Sequence, residues 1–218
     1  MKGKVSKNKF LKVVLPAFLV VAIICQAVGF QAVLAKGNVA ITSSDSISNL
    51  TDQQLQALTN PILQSYKADS SHKVWKMTVD SRLAVLANQT NIENARLQEV
   101  VKLVNSEFVE KEIISSPLAM VYAQEKDVSY GDILIDIDQT SSITSSSNSK
   151  EAYKITIGEN GVRLTGASEN AVMHGLRTIQ NLIITNDGLV YGEIVDYPNV
   201  AERRVHVDCA RKYISKDW

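Results

Sequence analysis

Acidic side chains are the first residues to examine for hydrolytic chemistry, because two carboxylates can act together as general acid and general base. Asp132, Asp136 and Asp138 recur at even spacing in one apolar segment. Even spacing places side chains on one face of a β-strand. Nothing in the sequence suggests an acid or metal partner beside them. The pattern therefore favours an exposed strand face over a catalytic carboxylate pair.

The three histidines, His72, His174 and His206, are far apart in sequence and match no zinc-ligand spacing. The sequence has no GxSxG nucleophile elbow, no phosphate-binding loop and no GxGxxG motif. We therefore expect no metal and no cofactor, and we interpret His174 as a structural histidine. Cys209 ends an apolar run, which is typical of a buried small hydrophobic residue rather than a nucleophile.

The carboxyl-terminal segment contains the strongest candidate for a ligand-binding side chain. A short apolar run, Val205 to Cys209, leads into Arg211 and Lys212, and Ser215 is typical of a helix N-cap. A strand, a loop and a helix start are how a (β/α)8 barrel begins, and polar residues just past such a strand lie on the active-site face. Arg211 is therefore a candidate ligand-binding residue. The alternative is an arginine in a surface loop.

The elements upstream of this segment predict an α+β domain with a mostly antiparallel sheet and two helices packed on one of its faces. The first helix is expected to begin at a capping box, Thr90 to Glu93, and to continue to Phe108. The second is expected to begin after the N-cap Ser168 and to end at Asn186 to Gly188. Further strands are predicted within the segments 73–86, 118–123, 132–137 and 189–195.

A β-hairpin around Asn160-Gly161 is the strongest local prediction. Tyr153, Ile155 and Ile157 alternate with polar residues, and an Asn-Gly pair tolerates the positive φ that a tight hairpin turn needs. The predicted register pairs Glu159 with Val162, and so places Ile157 opposite Leu164.

The amino-terminal residues 1–35 are predicted to be a signal peptide. They contain five of the 23 Lys and Arg residues and no acid, and a long apolar run ends in Val33-Leu34-Ala35. The alternative is an uncleaved anchor that tethers the protein to a membrane. The signal looks bacterial, so we expect an extracellular or cell-surface protein. Without it, 18 basic residues face 23 acidic ones, and this net charge of −5 argues against a nucleic-acid partner.

Several motifs in order resemble those of glycoside hydrolase family 20, the β-N-acetylhexosaminidases. The resemblance covers about residues 73–218, and its motifs are more specific together than singly. They are Gly131–Ile135, Glu151–Ile157, His174–Leu182, Val195–Pro198 and Arg203–Tyr213.

The first four motifs resemble the domain that precedes the catalytic barrel in that family, and the fifth resembles the first barrel strand. The predicted organisation is a signal peptide (1–35), a linker with a short helix (36–72), the α+β domain (73–198) and the start of a truncated barrel (199–218). A related hyaluronidase-type family opens its barrel differently, and Asp208-Cys209-Ala210-Arg211 favours family 20.

The resemblance implies removal of terminal β-linked N-acetylhexosamine from glycans by retaining, substrate-assisted hydrolysis. The family's catalytic Asp-Glu pair belongs to a later barrel strand, beyond Trp218, so no catalytic residue is expected in this chain. The family counterpart of Arg211 holds hydroxyls of the terminal sugar, a role that suits the fixed fork of guanidinium donors. Arg203 matches a structural arginine. The sequence departs from the family pattern at Arg204 and His206, where glycine and an aliphatic residue are common.

Two functions therefore remain open. The chain is either the non-catalytic front part of such a hydrolase, which reaches its glycan substrate through the missing barrel, or a freestanding exported module that binds a glycan or a protein partner. We expect the 218 residues alone to have no hydrolytic activity.

Overall fold

The computed structural model describes residues 46–138, 143, 149–200 and 203–204. Apart from Ser46, these residues belong to a compact unit that begins at Ile47. The predicted signal peptide and most of the predicted barrel start lie outside the described residues. Within the described part of the chain, no helix has the length and apolar character needed to span a bilayer.

A seven-stranded sheet forms the centre of the fold, and a second sheet has two strands. In spatial order, the large sheet contains β1 (Ser65–Ala68), β9 (Gly192–Asp196), β6 (Tyr153–Gly158), β7 (Gly161–Gly166), β5 (Ile133–Ile137), β3 (Arg82–Leu86) and β4 (Ala119–Ala123). The small sheet pairs β2 (Val74–Trp75) with β8 (Leu189–Val190).

The fold is α+β, as predicted, and four of the seven strand pairings in the described residues are antiparallel. These are β1–β9, β9–β6, β6–β7 and β2–β8. The other half of the large sheet is parallel, through β7–β5, β5–β3 and β3–β4. The parallel half arises partly because the chain crosses over through a helix between β3 and β4, which brings the second strand back in the same direction.

Four α-helices are described, two of them long. They are α1 (Asp52–Gln56), α2 (Gln89–Ile92), α3 (Ala95–Glu110) and α4 (Glu169–Asn186). Single turns of 3-10 helix occur at Ile47–Asn49 and Glu125–Asp127. One apolar face of α3 and one of α4 are buried, and α4 packs against α3 and against β5, β6 and β7. The prediction of two helices on one face of the sheet is confirmed.

The start of the first long helix differs from the prediction. Thr90 is inside the short helix α2 rather than at a cap, and α2 is capped by Asn88, whose side chain accepts a hydrogen bond from the Asn91 N–H. A second asparagine, Asn94, caps α3 by accepting from the Leu97 N–H at 2.9 Å. Asparagine is as good an N-cap as threonine or better, so two nearby asparagines displaced the predicted capping box.

The hairpin of β6 and β7 is present, but its register differs by two residues from the predicted one. Ile157 pairs with Val162 and Gly158 pairs with Gly161, so the turn residues are Glu159 and Asn160. Gly161 has φ +89°, and a Cβ there would lie 2.6 Å from the Asp132 carbonyl oxygen. A left-handed glycine after the turn, rather than an Asn-Gly turn centre, therefore fixes the register.

The segment 36–72, predicted to be a linker with a short helix, contains both that helix and a strand in its described part. Thr51 caps α1 through a reciprocal capping box with Gln54, and Leu55 is buried. The following residues 65–68 form β1, the edge strand of the large sheet, with Tyr66 fully buried. Part of the predicted linker therefore belongs to the sheet.

The main core lies between the sheet and its two long helices. Ile133, Ile135, Ile155 and Leu164 from the strands are fully buried, as are Leu176 and other residues of the helices. A smaller apolar cluster on the opposite face joins Ala84, Ala123 and Leu134, consistent with the alternation of side chains along a strand. The sheet therefore carries buried side chains on both faces of its parallel half.

Candidate functional site

A cleft of about 520 Å³ lies where the chain leaves the last strand of the sheet. One wall is the loop 59–64, and another is the face of α4 that carries His174 and Arg177. The exit segment 196–200 and Arg203 complete it. We call this space the junction cleft, since it lies beside the predicted boundary between the α+β domain and the barrel.

The Tyr153 hydroxyl is the polar centre of the cleft wall. It donates to Asp196 Oδ2 at 2.8 Å and lies 2.6 Å from Thr178 Oγ1. A phenol has one proton, so the threonine hydroxyl donates to Tyr153 in turn. Burial raises the pKa of Tyr153, and the Asp196 carboxylate raises it further. This chain of hydrogen bonds fastens β6, β9 and α4 together, and it keeps the phenol neutral.

Asp196 and its neighbour also anchor the loop that forms the opposite wall. Asp196 Oδ1 accepts from the Gln64 N–H at 3.1 Å, and Gln64 Nε2 donates to the Tyr197 carbonyl at 3.3 Å. Both carboxylate oxygens of Asp196 are therefore engaged. The exit segment is held against the loop 59–64 by backbone and side-chain contacts.

Two ion pairs flank the cleft. Arg203 pairs with Glu151, which precedes β6. Arg177 on α4 binds Glu107 on α3 through two nitrogens, at 3.1 and 2.5 Å. The hydrogen bond from Arg177 lowers the pKa of Glu107. Each guanidinium is matched by a carboxylate, so neither arginine supplies an uncompensated positive charge.

His174 is half-buried and lines the same cleft as Arg177 and Arg203. Burial lowers its pKa, because the charged imidazolium loses hydration. Arg203 and Arg177 lower it further, whereas Glu151 and Asp196 act in the opposite direction. The environment therefore favours a neutral imidazole.

The junction cleft does not have the chemistry of a hydrolytic centre. Its carboxylate Glu151 is paired with Arg203. Its other carboxylate, Asp196, accepts hydrogen bonds from the Tyr153 hydroxyl and the Gln64 N–H. Among the described residues, no group of His, Cys, Asp and Glu side chains is arranged to hold a metal ion. What the cleft offers is a shaped surface with apolar and paired polar groups, which suits binding.

The prediction of an exposed acidic strand face is wrong for Asp132 and Asp136, which are both buried. Asp132 binds Arg82 through two nitrogens, at 2.9 and 2.5 Å, and accepts from the Ser129 N–H. Asp136 accepts from the side chains of Asn88, Asn91 and Arg163.

These two carboxylates are structural, because each is surrounded by donors within the domain. Their spacing gave no sign of the arginines that bind them. Arg82 and Arg163 come from β3 and β7, which are distant in sequence from β5.

Most of the residues that were singled out in the carboxyl-terminal segment lie outside the described residues. These are Arg211, Cys209 and His206, so Arg211 stays a prediction. Arg203 is described and pairs with Glu151. The sequence did not identify Glu151, Tyr153 or Asp196 as site residues. The one available signal was their place in the motifs Glu151–Ile157 and Val195–Pro198.

Solved structures of similar fold include two family 20 enzymes. The Flavobacterium johnsoniae chitobiase matches with a TM-score of 0.58 and 16% identity, covering 78% of this chain and 25% of that one. The exo-β-N-acetylglucosaminidase from Vibrio harveyi, in complex with N-acetylglucosamine, matches with a TM-score of 0.49 and 15% identity, over 84% of this chain and 24% of that one. The chain spans about a quarter of the length of these proteins.

No curated protein matches the sequence. The family model described as "Glycosyl hydrolase family 20, domain 2" matches residues 29–197, which is most of the chain. The match begins inside the predicted signal peptide and ends at Tyr197, in the exit segment that lines the junction cleft. The motifs, the α+β fold and this match lead to one conclusion: the chain belongs to glycoside hydrolase family 20, through the domain that the family model calls domain 2.

Proposed function

We propose that the chain is the exported, non-catalytic N-terminal part of a β-N-acetylhexosaminidase-like glycoside hydrolase. In the longer protein, terminal β-linked N-acetylhexosamine is removed from glycans by retaining, substrate-assisted hydrolysis. The observation that carries the proposal is the family match over residues 29–197. The paired state of the carboxylates in the junction cleft supports a non-catalytic role for this domain.

The test compares two proteins on a chromogenic β-N-acetylglucosaminide. One is the chain of 218 residues, and the other is the product of the reading frame continued past Trp218. We expect no turnover by the first and turnover by the second. Turnover by the 218-residue chain would overturn the non-catalytic assignment. A stop codon after Trp218 would instead favour the freestanding binding module.

Arg211 is proposed to bind hydroxyls of the terminal sugar at the mouth of the barrel. In the longer protein, Arg211→Lys should lower kcat/KM by about ten- to a hundredfold, since hydrogen bonds to a charged group contribute about 1.5–3 kcal/mol. Arg96→Lys is the matched control, because Arg96 lies on α3 in an exposed pair with Glu99. Equal kinetics for the two variants would argue that Arg211 lies in a surface loop.

Export is proposed from residues 1–35 alone. Expression of the whole reading frame with a carboxyl-terminal tag should place the protein outside the cytoplasmic membrane. Amino-terminal sequencing of the exported product distinguishes cleavage near Ala35 from retention as an anchor. An intact amino terminus in a cytoplasmic fraction would contradict the proposal.

A further inference from the structure

The two edges of the seven-stranded sheet are protected to different degrees. At the outer side of β1, the Ala68 N–H donates to Asp52 Oδ1 at 3.0 Å, and Lys67 places a charge on the strand. A charged side chain and an occupied N–H both make a sheet edge a poor partner for another strand. At the opposite side of the sheet, β4 contains no charged residue and no proline. We call its outer side, which faces away from β3, the β4 edge.

Backbone groups of β4 point away from the sheet at alternate residues. Within the described part of the chain, β3 is the one strand that pairs with β4. The Ala123 carbonyl accepts from the Ala87 N–H at 2.9 Å, so the backbone of Ala123 faces β3. Because backbone groups alternate along a strand, that of Val121 faces β3 as well. The N–H and C=O groups of Met120 and Tyr122 therefore point outward, which leaves two donors and two acceptors for a further strand.

The β4 edge is complementary to itself in the antiparallel direction. When Val121 lies opposite Val121 of a second copy, Met120 lies opposite Tyr122, and each such pair exchanges two hydrogen bonds. The same register places the thioether of Met120 beside the Tyr122 ring of the other copy, which is a favourable contact. Tyr122 is 47% exposed and so has surface left to cover. A second copy of this chain therefore fits both the backbone and the side chains of the edge.

The segments that flank β4 favour the same antiparallel arrangement. The turn Glu125–Asp127, after the strand, consists of three charged residues, whereas residues 115–118 before it carry no charge. Antiparallel pairing places the charged turn of one copy beside the uncharged segment of the other. Parallel pairing would instead bring the two charged turns together. Like charges on facing strands are destabilising, so the antiparallel direction is preferred.

We propose that the β4 edge is a homodimerisation site, at which β4 strands of two copies pair antiparallel about Val121 and join the two large sheets into one. The arrangement has two-fold symmetry. Assembly stops at two copies, because the sheet edges that remain free are the protected β1 edges. The inference does not depend on the proposed function, since both pairing strands lie within the α+β domain.

Sedimentation equilibrium of the 218-residue chain tests the proposal. We expect a reversible monomer–dimer equilibrium in which the dimer predominates above about 100 µM, because two short strands form a small interface. Met120→Pro should raise the dissociation constant of the dimer at least about tenfold. It removes an outward N–H from each copy and leaves the hydrogen bonds between β3 and β4 intact. A wild-type chain that is still monomeric at about 500 µM would overturn the proposal.

Urea unfolding at about 1 µM, well below the expected dissociation constant, shows whether the proline variant keeps its fold. Tyr122→Glu is a second variant that leaves the backbone unchanged, and it should also weaken the dimer because like charges then meet across the two-fold axis. Ile184→Glu is the matched control, since Ile184 is a 54% exposed apolar residue on α4. All variants keep residues 1–35, so association through that segment is common to them. A dimer weakened equally by Tyr122→Glu and Ile184→Glu would contradict the β4 edge.

A disulfide bond tests the register. Val121 and its counterpart form a non-hydrogen-bonded pair, in which the Cα atoms are about 4.5 Å apart and within reach of a disulfide. Val121→Cys, with Cys25 and Cys209 changed to serine, should therefore give a cross-linked dimer in oxidised glutathione. Lys67→Cys in the same background is the control at the β1 edge and should stay monomeric on a non-reducing gel. Equal cross-linking of the two variants would overturn the proposed pairing.

Discussion

Helix α4 approaches the sheet closely at Gly175, where an ordinary side chain has no room. A Cβ at Gly175 would lie 2.3 Å from Leu164 Cδ1 and 3.2 Å from Tyr153 Cδ2. Leu164 is fully buried, so it has little freedom to move away. The glycine therefore sets the distance between helix and sheet, and with it the position of His174 and Arg177 in the junction cleft.

Gly175→Ala should destabilise the domain by about 1–3 kcal/mol, the usual cost of overpacking a core. In an exposed helix the same change stabilises by about 1 kcal/mol, so the sign itself is informative. Urea unfolding of the 218-residue chain measures it. Gly158→Ala is the control, because a Cβ there meets nothing within 4 Å. An alanine at 175 as well tolerated as one at 158 would contradict the packing argument.

Asp132 is 1% exposed at its side chain, and its partner Arg82 is 34% exposed. Burial alone would raise the pKa of Asp132, but the Arg82 guanidinium and the Ser129 N–H outweigh it and lower the pKa overall. A carboxyl group with a lowered native pKa binds fewer protons when folded than when unfolded. Its stabilising contribution is therefore complete above the ordinary pKa of 3.8 and is lost as the pH falls through the native value.

Asp132→Asn should cost about 3 kcal/mol at pH 7, since it leaves a partly buried arginine without its counter-charge. The variant should also lose less stability than the wild type between pH 5 and pH 3, in denaturant titrations at about those two values. Glu193→Gln, in the more exposed pair with Lys154, should cost at most about 1 kcal/mol. Equal losses for both variants would contradict the assigned role of Asp132.

The side chains that matter most in the site were the hardest to predict from sequence. Periodicity identified Tyr153 as an inward strand residue, but not that its hydroxyl meets Asp196 and Thr178. Those contacts join residues 25 and 43 positions away. A sequence pattern reports which face a residue lies on, whereas partners across the fold depend on strand order.

At the scale of elements, the amino termini of α3 and α4 are joined through one asparagine. Asn94 caps α3 by accepting from the Leu97 N–H, and its Nδ2 donates to Glu169 Oε1 at 2.6 Å. Glu169 lies in the first turn of α4, where the helix dipole also favours a negative charge. The hydrogen bond from Asn94 lowers the pKa of Glu169. Asn94 therefore forms hydrogen bonds with the first turns of both long helices.

Asn94→Ala should destabilise the domain by about 1–2 kcal/mol, the usual range for a lost N-cap. Thr90→Ala distinguishes the observed cap from the capping box that the sequence predicted. Because Thr90 is exposed and is not a cap residue here, its variant should lie within about 0.5 kcal/mol of the wild type. A larger loss for Thr90→Ala than for Asn94→Ala, in the same unfolding assay, would favour the predicted start.

Sequence patterns located the long elements and misplaced their ends. The stripes of α3 and α4 and the alternation in β6 and β7 predicted most of the buried residues correctly, whereas β5 is buried on both faces. The predicted hairpin register differs by two residues from the observed one, because Gly161 occupies a left-handed position after the turn. The strand β1 was missed because four residues, Ser65 to Ala68, carry a single fully buried side chain.

At the scale of the whole molecule, the sequence predicted the α+β class but not the parallel half of the sheet. Strand direction depends on how the chain crosses between strands, and apolar alternation is the same in either direction. The junction cleft could not be predicted for the same reason. It brings together the loop 59–64, the start of β6, one face of α4 and the exit segment. Four segments that are distant in sequence meet there only once the strand order places β1, β9 and β6 side by side.

The cleft also links the stability of the whole domain to pH through His174. Its pKa is lowered in the folded protein, first by burial and then by Arg203 and Arg177, against the pull of Glu151 and Asp196. The folded state therefore binds fewer protons than the unfolded state. His174 leaves stability unaffected above its ordinary pKa of 6.5 and reduces it as the pH falls below that value.

His174→Gln should flatten this dependence, because glutamine fills a similar volume and does not titrate. We expect the urea midpoint of the wild-type chain to fall more between pH 7 and about pH 5.5 than that of the variant. His72→Gln is the control for a histidine outside the cleft, since His72 lies in an exposed turn. A wild-type chain that gains stability on acidification through this range would place a protonated imidazole in the cleft. That result would mean that Glu151 and Asp196 raise the pKa of His174 by more than burial and the two arginines lower it.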